Sequence, residues 1–339
     1  MKFTLIGVSA TNDMIRTFEK NLIEHHLLRK GERIVIGVSG GIDSMVLLDL
    51  LYRLSKPWRL EVAVAHVNHG LRGKASDADE ALVRRVSLKL NLGFSAIRWK
   101  APSRDNIQDA ARRFRYDFFR NVAKKIKARS IATAHNRDDQ AETLLLHLIR
   151  GSGIKGLSGI MRSHGDETKI IRPLLDFSRE HIEKYAQKRR IVYHEDITNQ
   201  KTTYRRNFIR NKIFPILKTI NPCIKETLAD TAFTLQDTER ALHRVAQEFA
   251  KEFFRSGKRH IIWNRTHFIE LPTAIRRHVL ILAYETLCGD RTNLNSDQIL
   301  HMDMISSGTK GSGRYRLPRG IEFCRTKDII SIGSSAEGG

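Results

Sequence analysis

Residues 34–54, IVIGVSGGIDSMVLLDLLYRL, change their apolar period from two to 3.6 within a few positions, and this limits the fold more than any other stretch. Residues 34–38 form a short β-branched apolar run, as expected of an inner parallel strand. From Ser44 onward Met45, Leu47, Leu48, Leu51 and Leu54 recur at helical spacing. Between the two lie Ser39, Gly40, Gly41, Ile42, Asp43 and Ser44. Paired glycines let a backbone turn sharply and approach a ligand closely, and the free amides and dipole of a helix start favour an anion. The turn therefore reads as a phosphate site. The GxxxxGK[ST] loop needs a lysine before the hydroxyl residue, whereas Asp43 precedes Ser44. A hydroxyl, two glycines and an acid suit a departing pyrophosphate with its magnesium ion. A plain turn capped by Asp43 or Ser44 would not require both glycines.

Strand and helix signals alternate after this turn. Residues 60–67, 94–99 and 130–135 read as strands; 77–90, 106–128 and a segment after 138 read as helices. Such alternation implies an α/β fold with a doubly wound, mostly parallel sheet, and a helix over about residues 13–28 is expected to cover the sheet edge. In open parallel sheets chemistry gathers at the carboxyl ends of strands. There lie His66, His69, Arg72 and Lys74, which could face phosphates, the two histidines being too few for a zinc site. The next such end holds His135, Asp138, Asp139 and Glu142. Asp138 can cap the helix, while Asp139 and Glu142, three apart, point the same way and suit a magnesium ion or a substrate ammonium. Arg112 shares a helix face with Arg115 and Tyr116, which fits a phosphate or carboxylate as well as a solvated basic face.

Glycines at 151, 153, 156 and 159 fit either a loop closing over the site or a surface connector. Between Lys201 and Lys212 every charged residue is basic, including Arg205, Arg206 and Arg210. Tyr204 and Phe208 are interleaved, so the segment suits a nucleic-acid backbone and a stacked base. Phe208, Ile209, Ile213 and Phe214 could equally form a helix core face. Asn221-Pro222 marks a boundary, giving a catalytic domain over 1–217 and a second, mainly helical domain over 223–332 that ends in basic strands. A net charge of +22 and a pI near 10.2 call for a polyanionic partner, first of all a nucleic acid. Cys223, Cys288 and Cys324 lack metal or disulfide spacing, and no signal or membrane-spanning pattern is evident, so a cytoplasmic protein without membrane contact is expected.

The intact SGGxDS at Ser39 to Ser44 resembles the signature of PP-loop ATPases, which cleave ATP between its α and β phosphates. HVNHGLRG, ARRFRY, AHNRDDQAET, LIRGSGIKGLSGI, IRPLL and YRRNFIRNKIFPIL follow in order, and together they resemble the tRNA(Ile)-lysidine synthetase family over roughly residues 30–217. The resemblance implies ATP with Mg2+ as cofactors, and an isoleucine tRNA with a CAU anticodon and free L-lysine as partners. It implies adenylylation of the wobble cytidine, then displacement of AMP by the lysine ε-amine to form lysidine. Carried over by position, Ser39, Gly40, Gly41, Ile42, Asp43, Ser44 and His66 bind ATP. Asp43 and Asp139 lie by the metal; Asp43, Arg112 and Asp139 are catalytic, with Arg112 steadying the reacting phosphate or oxyanion. Asp139 and Glu142 bind lysine, and Arg205, Arg206, Arg210 and Lys212 bind tRNA. His135 matches the segment that holds lysine and magnesium, and Asn136 stands where many relatives have a second histidine. A homodimer is one assembly open to such a chain. The rivals are a tRNA thiolation enzyme of the same superfamily, which would commonly carry paired cysteines, and a non-catalytic RNA-binding protein.

Overall fold

The computed structural model describes residues 10–70, 73–100, 107–165, 167–195, 205–257, 259–309 and 311–334. It divides into two compact units: Met1–Ser152 with Gly156–Ala232, and Gly153–Lys155 with Phe233–Gly339. Up to the end of the sheet region the elements are α1 (Ala10–Glu24), β1 (Arg33–Gly37), α2 (Ile42–Trp58), β2 (Glu61–Asn68), α3 (Lys74–Lys89), β3 (Gly93–Arg98), α4 (Ile107–Ile126), β4 (Ser130–Ala132), α5 (Arg137–Ile149), the single turn α6 (Ile154–Leu157), β5 (Ser163–His164), β6 (Lys169–Ile171) and α7 (Arg179–Arg189).

The sheet order is β3-β2-β1-β4-β6-β5, with every pairing parallel except β5 on β6. β1 lies inside, aligned through Ile34 with Val62 of β2 and Ser130 of β4. Its apolar run follows from cover on both faces: Ile34, Val35 and Ile36 are wholly buried. One face packs against Phe18 and Leu22 of α1, Leu47 and Leu51 of α2, and Ile182 of α7. The other packs against Tyr116, Phe119 and Val122 of α4. α4 approaches so closely that a Cβ at Gly37 would lie 2.5 Å from the Phe119 ring. Two expectations are corrected. α1 packs on α2 and α7 instead of covering the sheet edge, because Phe18 and Leu22 find apolar cover there. β4 ends at Ala132, so Thr133, Ala134 and His135 lie in the loop at its carboxyl end.

The basic segment forms α8 (Arg205–Phe208), a π-helical turn (Ile209–Ile213) and α9 (Phe214–Ile220). Pro215 lacks the amide needed to continue an α-helical ladder, which accounts for a wider turn just before it. α10 (Ile224–Phe253) follows, its residues up to Ala232 belonging to the first unit.

The second unit adds α11 (Arg265–Ile269), α12 (Thr273–Cys288) and α13 (Ser296–Ser307) to an antiparallel sheet of β7 (Arg255–Ser256), β8 (His260–Asn264), β9 (Gly313–Leu317), β10 (Ile321–Arg325) and β11 (Ile329–Ser334), ordered β7-β8-β11-β10-β9. Trp263, Phe268, Tyr284, Met302 and Phe323 fill its core. The expected tail strands are present, and β7 and β8 join them. No helix among the described residues is long and apolar enough to cross a membrane.

Candidate active site

Two loops meet at the carboxyl ends of β1 and β4, where the order of connections reverses and open α/β sheets place their ligands. After β1, Gly40 takes φ +94°, and a side chain there would press against Asp79, with Cβ atoms 3.2 Å apart. Glycine is required by both conformation and space. Gly41 is the N-cap of α2 and no side chain caps that helix, so neither Asp43 nor Ser44 plays the capping part. Ser44 instead ties the turn together. Its hydroxyl accepts from the Ser39 amide at 3.1 Å, donates to the Gly41 carbonyl at 2.8 Å and lies 3.1 Å from the Ser39 hydroxyl. The α2 amides are thereby left for an external acceptor. His66 braces the turn from β2, its Nδ1 lying 2.8 Å from the Val38 carbonyl, while its buried Nε2 has no partner among the described residues. Burial holds its pKa below the usual histidine value, so the ring is neutral.

Asp43 projects from the turn toward the second loop. Its Oδ1 accepts from Asn136 Nδ2 at 3.0 Å and its Oδ2 from Arg179 Nη1 at 2.8 Å. Burial raises its pKa, reinforced by Asp139 and opposed by Arg179 and Asn136. Asn136 is the N-cap of α5. Its Oδ1 accepts from the Asp139 amide at 3.0 Å, and Asp139 Oδ2 accepts from the Asn136 amide at 3.1 Å, forming a reciprocal capping box. Asp138 does not cap α5. Asn136 already fills that position, and Asp138 accepts from the Arg179 amide at 3.0 Å and pairs with Lys225.

Glu142 is fully buried one turn further along α5. Arg210 grips it with two bonds, Nε to Oε1 at 2.6 Å and Nη2 to Oε2 at 3.0 Å, and also lies 3.6 Å from Asp139. Arg206, four residues before Arg210, approaches Glu142 Oε2 to 3.3 Å and donates to Thr143. Burial raises the Glu142 pKa against the pull of Arg210. Arg205 and Lys212 are exposed, Ile209 and Phe214 are buried, and Phe208 is half exposed. Arg206 and Arg210 thus face the acids, while Arg205 and Lys212 face solvent.

Arg112 is exposed on α4, its guanidinium 5.6 Å from the Tyr116 ring centre. His69 meets Trp99 edge-on and falls to a pKa of about 4 through burial and nearby Arg115, which suits ring packing better than a charged phosphate contact. His135 is neutral for similar reasons: burial, then Arg172, Arg115, Arg206 and Arg112, hold its pKa well below the ordinary value. Arg72 and Tyr204 lie outside the described residues. The glycine segment after α5 is tied down at its far end, where Gln140 accepts from the Ile160 amide at 2.6 Å and donates to the Ser158 carbonyl at 3.3 Å.

Among the described residues no three His, Cys, Asp or Glu side chains are grouped to hold a metal ion. Magnesium commonly needs only one or two carboxylates besides nucleotide phosphates, a donor set that Asp43 and Asp139 fit. Arg179 has no feature in the sequence that marks it for the site, and no local pattern announces the bond from Asn136 to Asp43. Arg179 begins a helix after Ser178, and Asn136 lies 93 residues from Asp43.

Residues 11–217 match the family model described as PP-loop domain. The tRNA(Ile)-lysidine synthase of Geobacter sulfurreducens is 36% identical over 97% of this chain and 70% of its own. That of Geobacillus kaustophilus is 32% identical over 96% and 71%. The chain therefore spans about 70% of the length of these relatives. Among solved structures the tRNA thiolase NcsA of Methanococcus maripaludis superposes with a TM-score of 0.58 at 18% identity, covering 67% of this chain and 79% of that one, a likeness of fold.

Proposed function

The chain belongs to the tRNA(Ile)-lysidine synthase family of PP-loop proteins and carries out ATP-dependent tRNA modification, and from that premise we propose that it joins free L-lysine to the wobble cytidine of an isoleucine tRNA. One observation carries the assignment of roles. Asn136 hydrogen-bonds Asp43 with its side chain and shares a capping box with Asp139, so the phosphate turn and the acidic helix start form one connected unit.

The uncapped amides of α2, with Ser39, Gly40, Gly41, Ile42 and Ser44, hold the ATP phosphates, and His66 braces the turn beside them. Asp43 and Asp139 would hold Mg2+, which supplies positive charge to the departing pyrophosphate. The cytidine 2-carbonyl oxygen attacks the α phosphorus and pyrophosphate leaves, with Arg112 placed to steady the charge that develops. Asp139 and Glu142 bind the lysine ammonium, and Asp139, the more accessible of the two, takes the proton that frees the ε-amine. The amine nitrogen bonds to C2, and AMP departs with the former carbonyl oxygen. Each carboxylate oxygen has two acceptor sites, so beyond its contacts with Arg210 and Arg206 Glu142 keeps an acceptor site on Oε1 for an ammonium. Exposed Arg205 and Lys212, with Arg206 and Arg210 behind them, form the tRNA-facing end of the basic segment.

Cys223, Cys288 and Cys324 are all free thiols, so no cysteine pair supports sulfur transfer. Nucleoside analysis of isoleucine tRNA after incubation with the protein, ATP and lysine tests the assignment. Cytidine carrying lysine is expected, and unmodified cytidine alongside full tRNA binding would reject it.

A further inference from the structure

Arg172 follows β6 in the IRPLL segment and has only 4% of its surface exposed. Its Nη1 donates to the Met161 carbonyl at 2.5 Å and lies 3.1 Å from His164 Nδ1, but its Nε is buried without a hydrogen-bond partner. Across from it on α4 the Arg115 guanidinium lies 5.4 Å from the Tyr116 ring centre, and Arg115 Nε is likewise buried and unpartnered. The Tyr116 hydroxyl, in a residue only 7% exposed, lies close enough to Arg172 and Arg115 to interact with both but makes no hydrogen bond of ordinary geometry. Among the described residues no carboxylate forms an ion pair with Arg112, Arg115 or Arg172. The acids of the site are instead taken up by Arg179, Arg206, Arg210 and Lys225.

Guanidinium groups drawn from water without a counter-charge are costly, and a natural fold that keeps them together leaves them for an anion. Planar N–H forks beside a phenol hydroxyl match phosphate oxygens in geometry and charge. We propose that Arg115, Arg172 and the Tyr116 hydroxyl, with the exposed Arg112 beside them, form a buried subsite for one phosphate group. The histidines around the cluster agree. His164 is held down to about 4 by burial and then Arg172, and His135 is neutral, so neither adds a further cation beside the guanidinium groups. The tyrosine agrees too: burial would raise its pKa, yet Arg172, Arg115 and Arg112 bring it below the ordinary phenol value.

The inference rests on the proposed reaction, whose two phosphate sources are ATP and the tRNA backbone, and the test separates them. Thermal unfolding of the full chain is followed with inorganic phosphate against chloride at constant ionic strength, for the unaltered protein, Tyr116→Phe and Arg115→Gln. Stabilisation by phosphate that weakens in both variants is expected; equal stabilisation in all three overturns the subsite. The same proteins are then compared for KM of ATP and for tRNA affinity against salt. A rise of about tenfold in the KM of ATP with unchanged tRNA affinity assigns the site to an ATP phosphate. A weaker tRNA complex whose salt slope falls by about one assigns it to the backbone. No change in either quantity overturns it. Tyr116→Phe keeps the volume of the buried ring, so a result is obtained even where the arginine variant fails to fold. Lysidine formation by the unaltered protein is measured alongside. If that product is absent while phosphate protection still depends on Arg115, the reaction assignment fails and the subsite stands.

Discussion

Replacing Glu142 by Gln removes one charge from the centre of the acidic helix start and keeps the shape of the side chain. Glu142 is fully buried, and Arg210 binds both its oxygens. Breaking a buried ion pair by removing one partner costs about 3–5 kcal/mol when the other charge is left uncompensated. Here Arg210 keeps Asp139 at 3.6 Å and its side chain is 34% exposed, so a lower cost of about 2–3 kcal/mol is expected. For a unit of this size each kcal/mol moves Tm by about 2–4 °C, which gives a fall of roughly 4–12 °C. Lysine use should suffer separately. Loss of a charged hydrogen-bond partner for an ammonium is worth about 1.5–3 kcal/mol, or roughly ten- to a hundredfold in the KM of lysine. On the proposed reading ATP is held at the turn after β1, so its KM should change little. The assay is lysine-dependent release of AMP from labelled ATP, at temperatures well below the variant's Tm. Equal losses for lysine and ATP would refute an ammonium site at Glu142 and leave only its structural role toward Arg210.

Asp43→Ala, which removes the acceptor of Asn136 and Arg179, should lower adenylylation by about a hundredfold or more with tRNA affinity nearly unchanged; a normal yield of AMP would reject its role. Arg205→Ala and Lys212→Ala, both at exposed positions, should each reduce the slope of tRNA affinity against salt by about one, as read by filter binding. In the second unit the His278 pKa is raised, first by its hydrogen bond to Glu239 at 2.9 Å. A raised histidine contributes stability that is complete below its unfolded value of about 6.5 and is lost as pH rises through the folded value. The Tm difference between the unaltered protein and His278→Gln should therefore narrow as pH rises above about 6.5, and a widening gap would contradict the pairing.

What could be read from the sequence was local. The strand–turn–helix at Ser39 to Ser44 is written in a change of apolar period, and Asp139 and Glu142 are marked by their spacing after a strand. Arg179 could not be found this way, because its bond to Asp43 joins elements 136 residues apart whose meeting depends on the packing of α7 on α2. Asp138 looked like the cap of α5, but an asparagine two residues earlier satisfies the same amides and leaves Asp138 to Arg179 and Lys225. Arg206 and Arg210 read as basic surface, since nothing local shows that α8 and the wide turn after it present them to a buried glutamate. β7 has only two residues and so carries no alternation to read, and β8 is completed by pairing with β11, about seventy positions away.

The central claim is that the turn after β1 holds pyrophosphate so that AMP, and not a terminal phosphoryl group, passes to the RNA. Chromatography of the products from α- and γ-labelled ATP, incubated with the protein, isoleucine tRNA and lysine, tests it most directly. AMP and pyrophosphate, formed in step with lysine attached to cytidine, are predicted; ADP and orthophosphate would contradict the account.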